Sequence, residues 1–194
     1  AQQWTLDGNK RSSVAILYRS NAQSRVLEEA LIRSGMPYRI YGGLRFFERQ
    51  EIKNAMAYLR LINNRGDDAS FERVVNTPTR GIGERTLEIL RNNARDQGQN
   101  LWQSAKTLLN DKVLTGRAGN AVRGFVDLID ALEEQVGMLP LHQQADIAIQ
   151  NSGLKAMYLA EKGEKSQARV ENLDELVTAC RQYQRPDELE EMSD

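Results

Sequence analysis

Residues 117–136, RAGNAVRGFVDLIDALEEQV, decide the fold class of this chain. The apolar residues in this stretch recur every three or four positions, which places them along one stripe of an α-helix. They are Val122, Phe125, Val126, Ile129, Leu132 and Val136. Because a stripe of this kind has to be buried against other elements, the stretch predicts a well-defined helix within a helical body.

Similar patterns continue on both sides of this stretch. We predict further helices at 48–64, 68–76, 84–97, 101–110, 141–151, 153–162 and 166–184. Asn100 with Gln103 three residues later matches a capping box, which marks a helix start. The last helix carries an apolar stripe that includes Cys180, so we interpret this cysteine as a core side chain rather than a reactive one.

The N-terminal region has a different pattern. Residues 1–12 are polar and indicate a connector, whereas residues 13–18 (SVAILY) form a short apolar run typical of a buried parallel strand. A helix is predicted next, because Ser20 and Gln23 match a capping box ahead of an apolar stripe. That stripe consists of Val26, Leu27, Ala30 and Leu31. Residues 38–43 (YRIYGG) then predict a second strand that runs into a turn.

This order of elements defines the predicted fold class. The chain is expected to be mainly α, with a helical subdomain preceded by a small βαβ piece of an α/β sheet. Since two strands do not make a stable open sheet by themselves, the chain is expected to be an excerpt of a larger protein.

Composition excludes several classes of protein. The 194 residues include 40% hydrophobic and 27% charged side chains, as expected for a globular protein, and no apolar run approaches the ~18–20 residues that cross a bilayer. One cysteine rules out an internal disulfide framework and suits a reducing cytosol. With one histidine, His142, the chain has neither a zinc-ligand set nor a serine-protease triad motif. We predict no metal site and no membrane contact.

The charge is unevenly distributed. The formal net charge is −1, but residues 1–184 carry 25 basic against 22 acidic side chains, and residues 36–95 carry eleven against seven. An arginine-rich excess of this size permits contacts to phosphates. It does not establish such contacts, because charged helix faces are usually only solvated.

A pair of glycines, Gly81 and Gly83, lies in the stretch NTPTRGIGERTLEIL at 76–90. One interpretation is a tight turn between helices, in which glycine supplies a positive φ and Ile82 fills the core. The other is a hairpin whose exposed amides, next to the positive end of a helix, bind a nucleic-acid phosphate. In that case Thr79, Arg80, Arg85 and Thr86 would add hydroxyl and cationic donors.

Tyr18 and Arg19 lie at the carboxyl end of the first predicted strand, where ligands of open α/β sheets bind. An aromatic ring beside a guanidinium could stack on a base and reach a polyphosphate. The alternative is a core tyrosine beside a solvated arginine.

Four blocks occur in an order and at spacings that resemble the UvrD/Rep/PcrA group of bacterial superfamily 1 DNA helicases, and most of all its UvrD branch. They are VAILYRSNAQSRVLEEAL, MPYRIYGGLRFFERQEIKNAMAYLRL, NTPTRGIGERTL and ARVENLDEL. Helicases of this group have two RecA-like motor domains, each with a large helical insertion. The resemblance implies that residues 1–45 are the start of the second motor domain and contain motif IV. Residues 46–184 would be its inserted helical, duplex-binding subdomain. The composition of residues 185–194, which is acidic and poor in apolar residues, predicts a disordered tail.

The resemblance also implies roles for individual residues. LYRSN is similar to motif IV, so Tyr18 would pack beside the adenine and Arg19 would reach the γ-phosphate of ATP bound at the opposite motor domain. TRGIG is similar to the loop that grips duplex DNA, which assigns DNA binding to Thr79, Arg80, Gly81, Ile82 and Gly83. The adjoining Arg85 and Thr86 are assigned with them.

The chain lacks the G-x-x-x-x-G-K-[S/T] motif that cradles ATP phosphates. The resemblance therefore implies a piece of an ATP-dependent 3′-to-5′ helicase of DNA repair, which uses ATP and Mg²⁺ in the parent protein. By itself this piece is expected to bind neither cofactor and to be inactive. The implied partners are duplex–single-strand DNA junctions, ATP across the motor-domain interface and excision- or mismatch-repair proteins, in the bacterial cytoplasm at the nucleoid. The alternatives are a stand-alone helical DNA-binding module and a protein-interaction module.

Overall fold

The computed structural model describes residues 14–40, 44–161 and 163–182. Helices account for 72% of these residues, and none of these residues belongs to a strand. The chain divides into two compact units, Ala1–Phe46 and Phe47–Asp194.

The predicted βαβ piece is wrong. Residues 14–18 and 38–40 have no strand ladder, and Leu17 is 93% exposed. The other positions of these two predicted strands, 13 and 41–43, lie outside the described residues. The physical reason is that a strand exists only through hydrogen bonds to a neighbouring strand. An apolar run expresses a preference for burial, but it does not supply the partner.

In its described residues, 14–40 and 44–46, the N-terminal unit contains one α-helix, α1 (Ser24–Arg33), preceded by a 3-10 turn at Asn21–Gln23. The predicted capping box of Ser20 and Gln23 is confirmed. The apolar stripe is not buried: Val26 is 53% exposed, and the side chains that are buried on α1 belong to Ser24, Arg25 and Glu28.

The buried Glu28 side chain has a structural role in this unit. Its carboxylate accepts hydrogen bonds from the Tyr38 hydroxyl at 3.2 Å and from the Phe46 backbone N–H at 3.2 Å. A buried carboxylate needs such donors, because burial without them is costly. These bonds tie the segment that follows α1 back to the helix.

The second unit is a body of helices. These are α2 (Gln50–Asn63), α3 (Asp68–Val74), α4 (Glu84–Gln97), α5 (Leu101–Asn110), α6 (Gly116–Val136), α7 (Leu141–Asn151), α8 (Leu154–Ala160) and α9 (Glu164–Gln182). The predicted helices are confirmed here, with bounds that match at α4, α5 and α7. The capping box of Asn100 and Gln103 is confirmed as well.

Helix α2 is central to this body, since it packs against α3, α6, α7 and α9. Its buried apolar side chains include Ile52, Tyr58 and Leu61, which are inaccessible to solvent. The stripe predicted on α6 is buried as expected, and the rings of Phe125 and Phe71 meet edge to face with centroids 5.4 Å apart. Cys180 on α9 is only half-buried.

Candidate nucleic-acid interface

The two glycines lie in the connection between α3 and α4. We call residues 76–83 the GIG loop. Gly81 has a φ of +83°, a conformation that favours glycine, whereas Gly83 is the extended N-cap residue of α4. Ile82 between them is 1% exposed and anchors the loop in the core.

Asn76 shapes the loop from within. Its side-chain carbonyl accepts the backbone N–H of Arg80 at 2.8 Å and that of Ile82 at 3.2 Å. The Thr77–Pro78 peptide inside the loop is cis. Because the amides of Arg80 and Ile82 are held inward, the intervening Gly81 forms the exposed tip.

Several backbone donors in the GIG loop and at the start of α4 have no partner within the described part of the chain. They are the N–H groups of Gly81, Gly83, Glu84 and Arg85. The last three are those of the N-cap residue and the first two residues of α4, where the unpaired amides and the helix dipole produce a positive end. The loop therefore presents a set of exposed donors suited to an anion.

The predicted cations of the loop face different ways. Arg85 is exposed and makes no ion pair with any described residue, so its guanidinium is accessible to a ligand. Arg80 is half-buried, and its guanidinium donates to the Tyr58 hydroxyl at 2.7 Å and to the Ser152 carbonyl at 2.8 Å. Thr79 is exposed, whereas Thr86 is 8% exposed within α4.

Burial sets the protonation of the Tyr58 hydroxyl. It raises the pKa of Tyr58 to about 12, although the neighbouring Arg80 guanidinium acts in the opposite direction. The protonated hydroxyl donates to the Thr77 carbonyl at 2.7 Å while it accepts from Arg80. Tyr58 thus connects α2 to two points of the GIG loop.

An acidic residue also borders the loop. Glu84, in the first turn of α4, forms an ion pair with Arg91, which also binds Glu72 at 2.6 Å. Arg91 lowers the pKa of Glu72 through this hydrogen bond. The Glu84 carboxylate, which lies on the same first turn of α4 as the exposed amides, is therefore engaged by Arg91.

Tyr18 and Arg19 lie in the N-terminal unit. Tyr18 is half-buried and Arg19 is exposed. The backbone N–H of Arg19 donates to Gln23 Oε1 at 3.0 Å, which fixes the backbone just ahead of α1. The Arg19 guanidinium is exposed and therefore accessible to a ligand.

Sequence reasoning missed three residues that build the loop. An asparagine that caps backbone amides ahead of a proline turn is a local signal, so Asn76 could have been found. Tyr58 and Ser152 join Arg80 from distant parts of the chain, and no local pattern marks them.

The described ranges contain neither a candidate metal-ion cluster nor a membrane-spanning helix. No group of three or more histidine, cysteine, aspartate or glutamate side chains there could hold a metal ion. Among the helices of the same ranges, none is long and apolar enough to cross a membrane.

Comparison with known proteins adds a second line of evidence. The family model described as the UvrD-like helicase C-terminal domain matches residues 1–194. DNA helicase II of Salmonella typhimurium is 60% identical over 189 residues, which is 97% of this chain and 26% of that protein. DNA helicase II of Haemophilus influenzae is 58% identical over 193 residues, with the same 26% of its length covered.

More distant relatives agree. The ATP-dependent DNA helicase PcrA of Bacillus subtilis is 37% identical over 180 residues, or 92% of this chain and 24% of the relative. The chain thus spans about a quarter of the length of the curated relatives it matches. On the match of the family model to all of its residues, the chain belongs to the UvrD-like helicase C-terminal domain family.

Proposed function

We propose that this chain is part of an ATP-dependent 3′-to-5′ DNA helicase of DNA repair, and that its GIG loop grips duplex DNA. The observation that carries this proposal is the group of exposed amides at Gly81 and at the start of α4, which have no partner among the described residues, with Arg85 beside them. Such donors bind phosphates without reading bases, as a motor that moves along any sequence requires. The similar proteins are named as DNA helicases, and the proposal uses this geometry to explain how such a helicase would hold DNA.

Within the loop, the proposed phosphate contacts are the Thr79 hydroxyl, the amides of Gly81 and Gly83, and the Arg85 guanidinium. Ile82 and Thr86 are buried, so their proposed part is to shape the loop and the helix start. The Arg80 guanidinium is instead bonded within the chain, to the Tyr58 hydroxyl and the Ser152 carbonyl.

The N-terminal unit has a separate proposed role. ATP held by a P-loop motor domain outside this chain supplies the free energy for unwinding. The exposed Arg19 would stabilise negative charge on the γ-phosphate, and Tyr18 would pack beside the adenine. In this proposal residues 1–45 serve the motor and residues 46–184 serve the duplex. The tail at 185–194 lies outside the described residues.

The proposal also places the protein in its cell. It would act on the nucleoid in the bacterial cytoplasm, at duplex–single-strand junctions, and would meet proteins of the excision and mismatch repair pathways. These partners follow from the family and not from a surface of this chain.

The DNA-binding part is tested by fluorescence anisotropy with a labelled duplex that carries a 3′ single-stranded tail. The 194-residue chain should bind at low salt, with affinity that falls as salt rises. Arg85→Gln should weaken binding and lower the slope of log K against log [salt] by about 0.9. Arg123→Gln, which removes an exposed charge from α6, is the matched control.

Two results would contradict the proposal. One is wild-type chain that does not bind this DNA at about 50 mM salt. The other is an Arg85→Gln variant that behaves like Arg123→Gln. Binding of a repair protein without DNA binding would instead favour the protein-interaction module.

The role of Arg19 is tested in a protein that joins this chain to a P-loop motor domain. Arg19→Ala should lower the rate of ATP hydrolysis by about 10³-fold or more while ATP binding persists. Arg33→Ala removes a guanidinium whose side chain is 79% exposed on α1, and it should have no such effect. Unchanged hydrolysis in Arg19→Ala would remove Arg19 from the ATP site.

A further inference from the structure

The Arg80 guanidinium is hydrogen-bonded to several groups of its own chain. In addition to Tyr58 and Ser152, its guanidinium donates to the Pro78 carbonyl at 3.0 Å and to the Val74 carbonyl at 3.2 Å. An arginine offers five N–H donors in a rigid fork. Both terminal nitrogens of Arg80 are occupied by these four acceptors, so little donor capacity is left for an external phosphate.

The four acceptors come from separate elements. Tyr58 belongs to α2, Val74 is the last residue of α3, Pro78 belongs to the GIG loop, and Ser152 is the C-cap of α7. The guanidinium also lies 5.7 Å from the ring centroid of Phe125 on α6. Arg80 therefore joins the loop to three helices and to the turn after α7.

A second contact supports the same junction. Gly153, with a φ of +85°, follows Ser152, and a Cβ at this position would lie 3.5 Å from Pro78 Cγ. The turn after α7 thus packs against the GIG loop at the place where Arg80 bonds to it. The loop and this turn form one braced structure.

We propose that Arg80 and Asn76 are positioning residues, which hold the Gly81 tip and the α4 amides toward a phosphate without contacting it themselves. This inference rests on the proposed function for its DNA ligand. The internal hydrogen bonds of Arg80 and Asn76, which we call the brace, are a property of the chain alone. Asn76 fixes the loop through two of its backbone amides, and Arg80 fixes it through hydrogen bonds to α2, to α3 and to the turn after α7. Arg85 is then the cation that meets the phosphate.

The two roles predict different responses to a conservative substitution. A cation that contacts phosphate can be replaced by lysine, because the charge is what binds. A brace needs the planar fork, which lysine lacks. We expect both Arg80→Lys and Arg80→Gln to weaken duplex binding about tenfold, since each loses several internal hydrogen bonds.

The salt dependence separates the roles further. In the anisotropy titration, both Arg80 variants should keep the wild-type slope of log K against log [salt], because no phosphate contact is lost. Arg85→Lys should retain binding, and Arg85→Gln should lose about 0.9 of the slope. If Arg80→Lys binds like wild type while Arg80→Gln lowers the slope, Arg80 contacts phosphate directly and the inference is overturned.

Amide hydrogen exchange measures the brace without DNA. The Ile82 N–H bonded to Asn76 should exchange about tenfold faster in Arg80→Lys and in Asn76→Leu, because the loop opens more often. The Ile129 amide within α6 is the internal control and should not change. An Ile82 rate unaffected in Arg80→Lys would show that Arg80 does not position the loop.

These two readouts keep the inference separate from the proposed function. Wild-type chain that binds no duplex contradicts the proposed function, and exchange at Ile82 still decides whether the brace exists. If Arg80→Lys does not fold, Tyr58→Phe is the milder test, since it removes one acceptor of the fork and keeps the arginine. It should give the same slope and a smaller rise in exchange, and a wild-type Ile82 rate in this variant would count against the brace.

Discussion

Arg49 and Asn172 lie 123 residues apart in the sequence, yet Arg49 Nη1 donates to Asn172 Oδ1 at 2.9 Å. The amide of Asn172 in turn donates to Glu51 Oε1 at 2.7 Å. All three side chains are buried, and they connect the start of α2 to the middle of α9. The first and last helices of the helical body are thus joined by a network in which Asn172 is donor and acceptor at once.

Asn172→Asp should break this network at neutral pH. The substitution keeps an acceptor for Arg49, but it removes the donor to Glu51 and places a second carboxylate against it. We expect the free energy of unfolding to fall by about 2–3 kcal/mol at pH 7, because a buried donor is lost and two buried carboxylates are brought together. Urea denaturation measures this loss.

Gln167→Glu is the matched control for that substitution. Gln167 donates to Glu171 at 3.2 Å on the exposed surface of α9, so the change also places two carboxylates together. Because water screens exposed charges, we expect a loss of less than about 0.5 kcal/mol. Equal losses in the two variants would show that burial of the Asn172 network contributes nothing.

The buried Tyr58 hydroxyl predicts a loss of stability in alkali. Its pKa is raised from 10.0 to about 12, so between these values the unfolded chain releases a proton that the folded chain retains. The contribution is complete below pH 10 and is lost as pH rises toward 12. At pH 11 the free energy of unfolding should be about 1.4 kcal/mol lower than at pH 9 from this residue alone.

Tyr58→Phe tests that assignment. The variant should be less stable at pH 9, because Arg80 and the Thr77 carbonyl lose a partner, but its stability should decline less steeply from pH 9 to 11. Some decline will remain, since burial also raises the pKa of Tyr158. Parallel pH profiles for wild type and Tyr58→Phe in urea denaturation would contradict the assignment.

Two glycines of α6 predict opposite responses to alanine. A Cβ at Gly119 would lie 2.5 Å from the Leu114 carbonyl oxygen, whereas a Cβ at Gly124 would meet no atom within 4 Å. Gly119→Ala should destabilise the chain by about 1–3 kcal/mol through this overlap. Gly124→Ala should stabilise it by up to about 1 kcal/mol, because alanine favours a helix over glycine. Thermal unfolding of the pair measures the difference, and a gain in both would show that the backbone at Leu114 yields easily.

Most of the helical body could be predicted because its signals are local. The end of α4 is marked in the sequence by Gly98, which adopts a φ of +60°. The start of α5 is marked by the capping box of Asn100. The prediction of two strands was wrong. Residues 13–18 and 38–43 show only an apolar pattern, and whether such a segment forms a strand depends on a neighbouring strand that the pattern does not reveal.

The candidate site was predicted in part for the same reason. The pattern of Gly81, Ile82 and Gly83 indicates a loop ahead of a helix, and the structure has one there. The inward direction of Arg80 depends on Tyr58 and Ser152, which are 22 and 72 residues away from it. The spacing of residues within the loop cannot distinguish an arginine that hydrogen-bonds inside the chain from one that faces solvent.

The two glycines of the GIG loop separate folding from DNA binding. Gly81→Ala places a side chain at a φ of +83°, so it should lower the free energy of unfolding by about 1 kcal/mol and weaken duplex binding with it. Gly83 has a φ of −90° and open space around its Cβ position, so Gly83→Ala should fold with wild-type stability. Its methyl group would nevertheless stand beside the amides that are proposed to meet the phosphate. We therefore expect weaker binding in Gly83→Ala without a change in melting temperature, measured by anisotropy and thermal unfolding on the same samples. Wild-type affinity in Gly83→Ala would mean that the DNA backbone does not approach the start of α4.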